Sequence, residues 1–274
     1  MRNRPFIGVS GFVTERDVSH ITQRARLPHG RRLAIAILAN ERLLRKRNLW
    51  EPIKDMAVFS RSARKTPARA YNPLHLIHYS TRHNDETMLA QIKRVTAYGG
   101  DFVNGLQLDM GWPRPCVLEA YADEFPHMEI ILQIGRHALS RVSHPRVLAR
   151  KMREYEACVH HVLFDEKNNK EEMDGRMSRE YIEALINEGI HSFAHLGLSV
   201  DVKSKSTVRD SLDEVRSLLE DFPALSVHFD ESFGKADAKA FDKEHAVCVI
   251  NMLGEITATP EYHTWHNYKK RGEE

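Results

Sequence analysis

The amino-acid sequence predicts an α/β fold built as a single (β/α)8 TIM barrel, and three observations carry that expectation. Short apolar, β-branched-rich runs that end in a polar residue recur along the chain, and the stretches between them place apolar residues at helical spacing. Strands alternating with helices imply parallel strands joined by right-handed crossovers. Eight such runs in 274 residues match the dimensions of a closed barrel, typically about 250 residues. A doubly wound open sheet is the competing arrangement, but no GxGxxG phosphate loop follows the first strand.

In chain order, the first strand is Phe6–Ser10 (FIGVS), followed by a polar, basic insertion at Ser19–Arg31. Arg32–Arg47 has the spacing of a helix, and Met56–Ser60 (MAVFS) that of the second strand. Arg61–Pro73, basic and holding two prolines, reads as a loop or irregular helix. The third strand, Leu74–Ser80 (LHLIHYS), leads to a helix over Asp85–Tyr98, opened by Asn84 with Asp85 and stopped by Gly99 and Gly100. The fourth strand is Gly105–Met110, with a helix at Pro115–Glu124; the fifth is Glu129–Ile134, with a helix at Pro145–Ala157. The sixth, His160–Asp165, precedes a helix at Ser178–Glu188 that Ser178 opens and Gly189 stops. The seventh, His191–Leu198, precedes Thr207–Glu220, opened by Ser206, and the eighth, Leu225–Glu231, precedes Ala236–Leu253. Residues 1–274 are therefore expected to form one domain with insertions near 19–31 and 61–73 and a frayed C-terminal YKKRGEE.

Composition narrows the function. Forty Lys and Arg against 38 Asp and Glu leave a formal charge of +2, without the basic excess of a nucleic-acid binder, so a small-molecule partner is expected and nucleic acid is not. With 42% hydrophobic and 28% charged residues the chain has a soluble globular composition, and no segment approaches the roughly 18 uninterrupted apolar residues of a membrane span. Cys116, Cys158 and Cys248 form neither a disulfide framework nor a CxxC zinc pair, which makes a reducing cytoplasm the expected compartment. The basic start MRNRPFIGVSGF has too short an apolar run for a signal peptide. Nothing in the residues encodes an oligomeric state. Sixteen histidines outnumber 14 glycines, so some imidazoles either do chemistry or fill the surface.

In a (β/α)8 barrel the reacting groups stand at the C-terminal ends of the strands and in the loops that follow. That rule selects Ser10; Ser60 and Arg61; His78, Ser80 and Arg82; Gln107 and Asp109; Gln133 and Arg136; Asp165 and Lys167; His195 and Ser199; and His228, Asp230 and Glu231. Residues two apart share a strand face, so His78 with Ser80, Gln107 with Asp109, and His228 with Asp230 can enter the mouth together. Asp165, Asp109, His228 and Asp230 are the candidates for proton transfer; Ser10, His78, Gln107, Gln133, Arg136 and His195 are candidates for holding a substrate. Each has a plainer alternative: a carboxylate can cap the next helix, an imidazole can bond backbone, and Arg136 can be a surface cation rather than a bidentate anion clamp. His160, His161 and His191 open strands, on the face where stability resides. His195, His228, Asp109 and Asp230 would suit zinc or manganese, but neither HExxH nor HxH on the first strand occurs, so no metal and no cofactor are expected. GVSGF is not the GxSxG nucleophile elbow, and the cysteines are expected as small core residues.

The order of these fragments resembles the phosphoribosylanthranilate isomerase family, a single-domain TIM barrel. Its opening strand runs like KICGLTRPEDV, and IGVSGFVTERDV at Ile7–Val18 is similar in spacing, with Gly11, Thr14 and Asp17 in place. Leu76–Met110 looks like the family's middle, Gln107-Leu108 matching the QL of DAVQLHG, and VLFDEK ends in Asp165 as the family's sixth strand ends in LLLD. The resemblance implies a cysteine base at the end of the first strand and an aspartic acid at the end of the sixth, which together open a ribose ring and shift it to a ketose by an Amadori rearrangement. The acid carries over to Asp165. At the cysteine position stands Ser10, a far poorer base. The family's phosphate-cradling glycine turns after strands 7 and 8, LAGGL and SSGVE, correspond to FAHLGL, which keeps Gly197, and VHFDES, where Asp230 and Glu231 would repel an anion.

The expected function is that of a divergent phosphoribosylanthranilate isomerase-like enzyme acting on a small polar sugar- or nucleotide-derived metabolite by acid–base proton transfer, as isomerase or lyase. Two alternatives stay open: a metal-dependent hydrolase on the same barrel, and a barrel that binds a ligand without turning it over.

Overall fold

The computed structural model describes residues 4–11, 15–28, 30–40, 73–81, 86–142, 144–165, 175–201, 212, 215–230 and 242–257. Eight parallel strands pair in chain order and close through β1 and β8. They are β1 Phe6–Ser10, β2 Arg32–Asn40, β3 Leu74–Ser80, β4 Gly105–Asp109, β5 Glu129–Ile134, β6 His161–Asp165, β7 His195–Asp201 and β8 Ser226–Asp230. The helices are α1 Glu15–Arg24, α2 Met88–Gly99, α3 Pro115–Glu124, the short α4 Arg136–Leu139, α5 Pro145–Met152, α6 Gly175–Asn187 and α7 Lys243–Ile256, with a further helical stretch at 215–221. The chain is a single (β/α)8 TIM barrel. None of the helices among the described residues is long and apolar enough to cross a membrane.

Closure is reinforced by side chains. The Phe6 backbone N–H donates to Ser226 Oγ at 3.1 Å across the β1–β8 seam. The fully buried Arg31 guanidinium donates to the carbonyls of Leu225 at 2.8 Å and Pro223 at 2.6 Å, tying the approach to β2 to the turn before β8. A buried cation is tolerated there because carbonyl oxygens replace its water.

The second strand differs from the sequence expectation. Arg32–Asn40 is strand, not the first part of a helix, and Met56–Ser60 lies outside the described residues. In RLAIAILAN, Ala34 and Ala36 fall at alternate positions and pack inside the barrel, while Leu33, Ile35 and Ile37 pack outside it. Burial on both faces gives a continuous apolar run that periodicity does not separate from a buried helix. The first crossover helix is instead α1, which occupies the first part of the expected Ser19–Arg31 insertion. Its apolar stripe is narrow, with only Val18 and Ile21 fully buried, so the segment looks polar in sequence. Ser178 lies one turn inside α6 rather than at its start, whereas Gly189, at φ +79° beyond the helix end, takes the left-handed conformation expected of a stop. Asn84, Asp85, Ser206 and the 61–72 part of the second insertion lie outside the described residues.

The apolar interior is a layer. Phe6, Ala34, Ala36, Leu74, Leu76, Ile131 and Leu163, all inward positions, form a buried cluster in the middle of the barrel. Outward positions of the barrel strands, such as Val9, Ile77, Leu108, Leu132, Phe164 and Leu198, join the larger core beneath the helices. Above and below the middle layer the inward positions turn polar, with different chemistry at the two ends.

Candidate functional site

At the C-terminal end, alternation aims Ser10, His78, Gln107, Asp109, Gln133, Asp165, Ser199 and His228 inward, along with the backbone position of Asp230. Asp165 ends β6 with 4% of its surface exposed. Gln133 Nε2 on β5 donates to Asp165 Oδ2 at 2.9 Å. Gln107 Nε2 on β4 donates in turn to Gln133 Oε1 at 2.7 Å. Three adjacent strands thus hold one continuous chain of buried polar groups that ends on a carboxylate. Its direction follows from the acceptor: an ionised carboxylate only accepts, so Gln133 presents its NH2 and Gln107 must supply the next donor. Gln107 Oε1, at the head of the chain, has no hydrogen-bond partner among the described residues.

Facing this arc are two histidines. The rings of His78 on β3 and His228 on β8 meet edge to face at 5.9 Å. Since β1 and β2 stand between those strands in the wall, the contact spans the barrel interior. His228 is wholly buried, and its ring lies over Gly8: a Cβ there would stand 2.7 Å from His228 Cδ2. The glycine is required by space rather than by turn geometry. Ser10, also wholly buried, ends β1 in register with Asp230. Asp109 is half-buried at the end of β4, level with Ser80 and Gln133. Arg136 opens α4 immediately after the Gly135 turn, and the side chains of Arg136 and Asp230 lie outside the described residues, as do Ser60, Arg61, Arg82, Lys167 and Glu231. The floor of the β4 and β5 loops is pinned by Trp112, whose indole N–H donates to the Ala138 carbonyl at 3.0 Å.

His195 is not at this end. It opens β7, in register with His161 at the start of β6, and the two rings stack at 5.4 Å. Ile190–Ser192 form a 3-10 turn, which delays the strand, and β7 then runs on through Ser199 to Asp201 instead of stopping at Leu198. Gly197 consequently lies in mid-strand rather than in a turn. Its α-carbon is backed by Leu163 and by the Ser226 carbonyl, which would lie 2.6 Å from an added Cβ.

The N-terminal end carries a separate polar cluster. Arg32 Nη1 meets Glu129 Oε1 at 2.7 Å, joining β2 to β5 across the interior, and His161 Nε2 meets Glu129 Oε2 at 2.9 Å. Burial alone would raise the Glu129 carboxyl, but the His161 hydrogen bond and the Arg32 charge outweigh it and hold the group at about 2. Burial drives the His161 imidazole below its ordinary value, so it is neutral and donates to Glu129. This triad is locked in one protonation state at neutral pH and serves the fold. Burial likewise pushes the Cys158 thiol up to about 12, consistent with a packing role.

The misassigned second strand hid one lining residue. Leu38, an inward position of β2 in register with His78, is 39% exposed and gives the mouth an apolar wall opposite the amide chain. The Ala-Ile-Ala-Ile alternation preceding it was the available signal. Among the described residues no group of three His, Cys, Asp or Glu stands close enough together to hold a metal ion.

No family model matches the chain, and no curated protein matches it. Among solved structures it is similar to the phosphoribosyl anthranilate isomerase from Thermococcus kodakaraensis, at 12% identity over 92% of this chain and 98% of that one, with a TM-score of 0.53. A second match is the YdjI aldolase from Escherichia coli K12, at 10% identity over 93% of this chain and 89% of that one, with a TM-score of 0.48. At these identities the likeness is one of fold: the chain is a phosphoribosylanthranilate isomerase-like TIM barrel in architecture.

Proposed function

We propose that this barrel is an isomerase or lyase acting on a small polar metabolite, derived from a sugar or a nucleotide, by moving protons between Asp165 and a base drawn from Asp109, His228 and Asp230. The observation that carries the reading is the Gln107–Gln133–Asp165 chain. A carboxyl group buried at a strand end needs its orientation fixed before it can take a proton from, or in its protonated form give one to, a single atom of a ligand. Gln133 fixes one Asp165 oxygen, and Gln107 fixes Gln133. His78 and His228 supply polar ring edges on the other side, and Leu38 an apolar contact, so a ligand with one hydroxylated face and one apolar edge suits the mouth.

The ends of β7 and β8 favour ligands without phosphate. Where the resemblance implies glycine turns, β7 continues as extended strand to Asp201, in register with the end of β8 at Asp230, so the backbone around Gly197 is not the turn of exposed amides that cradles a phosphate. Thermal-shift measurements with pentoses, nucleosides and amino sugars, beside their phosphorylated forms, test this. A ligand at a hundred times its Kd adds about 2.7 kcal/mol, and neutral or amine-bearing members are expected to give the larger rise in Tm. A larger rise with the phosphorylated forms would refute that preference. With a substrate in hand, Asp165→Asn is expected to lower kcat by about 100-fold to 10,000-fold while leaving the urea midpoint nearly unchanged; wild-type turnover would remove Asp165 from the role.

A second reading is favoured by Ser10, the buried hydroxyl that stands where the resemblance implies a thiolate base: a barrel that holds the same ligand without converting it. Ligand-induced stabilisation without turnover would select it.

A further inference from the structure

We propose that the outer face formed by α5 and α6 is a self-complementary docking surface for a second copy of this chain, paired about a two-fold axis parallel to the two helices. A groove of about 900 Å3 runs between these helices. Its α5 side carries Arg146 and Arg150, one turn apart and both exposed. Its α6 side carries Glu180, exposed, and Glu183 and Glu188, half-buried. A cationic row and an anionic row thus lie side by side. At the N-terminal end of the barrel they are tied together, Arg153 Nε standing 4.0 Å from Glu188 Oε1. Above that tie, neither Arg146 nor Arg150 belongs to an ion pair among the described residues. Like charges one turn apart on a helix repel each other, so these two arginines suit carboxylates brought from outside.

The second copy has carboxylates at matching heights. Both helices run from the mouth end of the barrel toward its N-terminal end, so the Arg153–Glu188 contact sets a common origin. At a rise of about 1.5 Å per residue, Arg150 and Arg146 stand about 5 and 11 Å above it on α5, and Glu183 and Glu180 about 8 and 12 Å above it on α6. A two-fold axis parallel to the helices keeps height and exchanges the two rows. Arg146 of each copy then faces Glu180 of the other, and Arg150 faces Glu183. An axis laid across the helices would set arginine on arginine, so the charge pattern selects one of the two orientations. Val147, between the arginines on α5, is 51% exposed, more than any other large apolar side chain described, and the facing copy covers it. The two mouths open toward the same side of such a dimer.

The test is sedimentation velocity of the whole chain at about 1 to 100 µM, in about 0.05 M and about 0.5 M salt. The expected result is a concentration-dependent species of twice the 31.6 kDa chain mass, weakened at the higher salt because exposed charges are screened there. Arg146→Glu with Arg150→Glu makes both rows acidic, and Glu180→Arg with Glu183→Arg makes both rows basic. Each double variant alone should dimerise at least about 10-fold more weakly than the wild type, and an equimolar mixture of the two should recover the dimer. Far-UV circular dichroism and urea midpoints check that the variants fold. The single reversals Arg146→Glu and Glu180→Arg, both at exposed positions, carry the same comparison if a double variant does not. A wild-type chain that stays monomeric throughout overturns the proposal, as does a dimer that the reversals leave intact or a mixture that fails to recover it. None of these outcomes bears on the chemistry assigned to the mouth.

Discussion

Two buried carboxylates inside one barrel are held in opposite ways. Glu129 touches a guanidinium and an imidazole, and its charge is fixed. Asp165 is reached by a neutral amide, itself reached by another. The first arrangement resists acid only over a defined range. Glu129 has its carboxyl lowered from 4.5 to about 2, so it contributes about 3 kcal/mol at neutral pH, at about 1.4 kcal/mol per pKa unit. That contribution is complete above pH 4.5 and is lost as the pH falls toward 2. His161, neutral when folded, adds a loss that begins below 6.5, where only the unfolded chain takes the proton. Urea midpoints measured from about pH 3 to 8 should therefore fall in two stages, and Glu129→Gln should flatten the lower one while costing about 3–5 kcal/mol at pH 7 by stranding Arg32. A single-stage curve, or a neutral substitution, would count against the triad. At the same scale, Cys116 and Cys248 are exposed and Cys158 is buried. An aromatic disulfide reagent should titrate two thiols in the folded protein and three in urea. Residue identity at strand ends was legible in sequence for Ser10, His78, Gln107, Gln133, Asp165 and His228, because polar residues closing apolar runs mark the mouth. His195 was not, because which end of a strand a residue occupies depends on where the preceding turn lets pairing begin.

Elements whose two faces differ were the easiest to place. Pro115–Glu124 begins with a proline at its first turn and has an apolar side of Val117, Leu118 and Tyr121, and its limits agree with the sequence expectation. β1, β3 and β5 also agree residue for residue. β2 failed for a physical reason: a barrel strand is apolar on both faces, so nothing in Arg32–Asn40 opposes a helix except the small-then-branched alternation. Side-chain volume inside the wall has a further consequence for β7. An added methyl at Gly197 collides with the Ser226 carbonyl, which is backbone and cannot swing aside. Gly197→Ala is expected to cost about 1–3 kcal/mol by overpacking, read as a lower urea midpoint with an unchanged m value. If Gly197 instead served as an anion turn, the substitution would weaken ligand binding while leaving the midpoint in place.

Across the whole molecule, an apolar layer separates two polar ends, one held by an ion pair and the other by two amides linked in series to a carboxyl group. The count of strands was readable because alternation repeats often enough to survive one misplaced member. The closed order β1 to β8 has a cost in time. Phe6 and Ser226, joined across the seam, are 220 residues apart in sequence, so the first strand made at the ribosome waits for nearly all of the chain before its second neighbour exists. At about 5–20 residues per second, that wait is tens of seconds. During it, β1 presents an open edge to any other chain nearby. The seam is thus the last strand pairing that synthesis makes possible, and a nascent chain halted before Ser226 lacks the β8 partner of both β1 and β7, two edges through which it can aggregate.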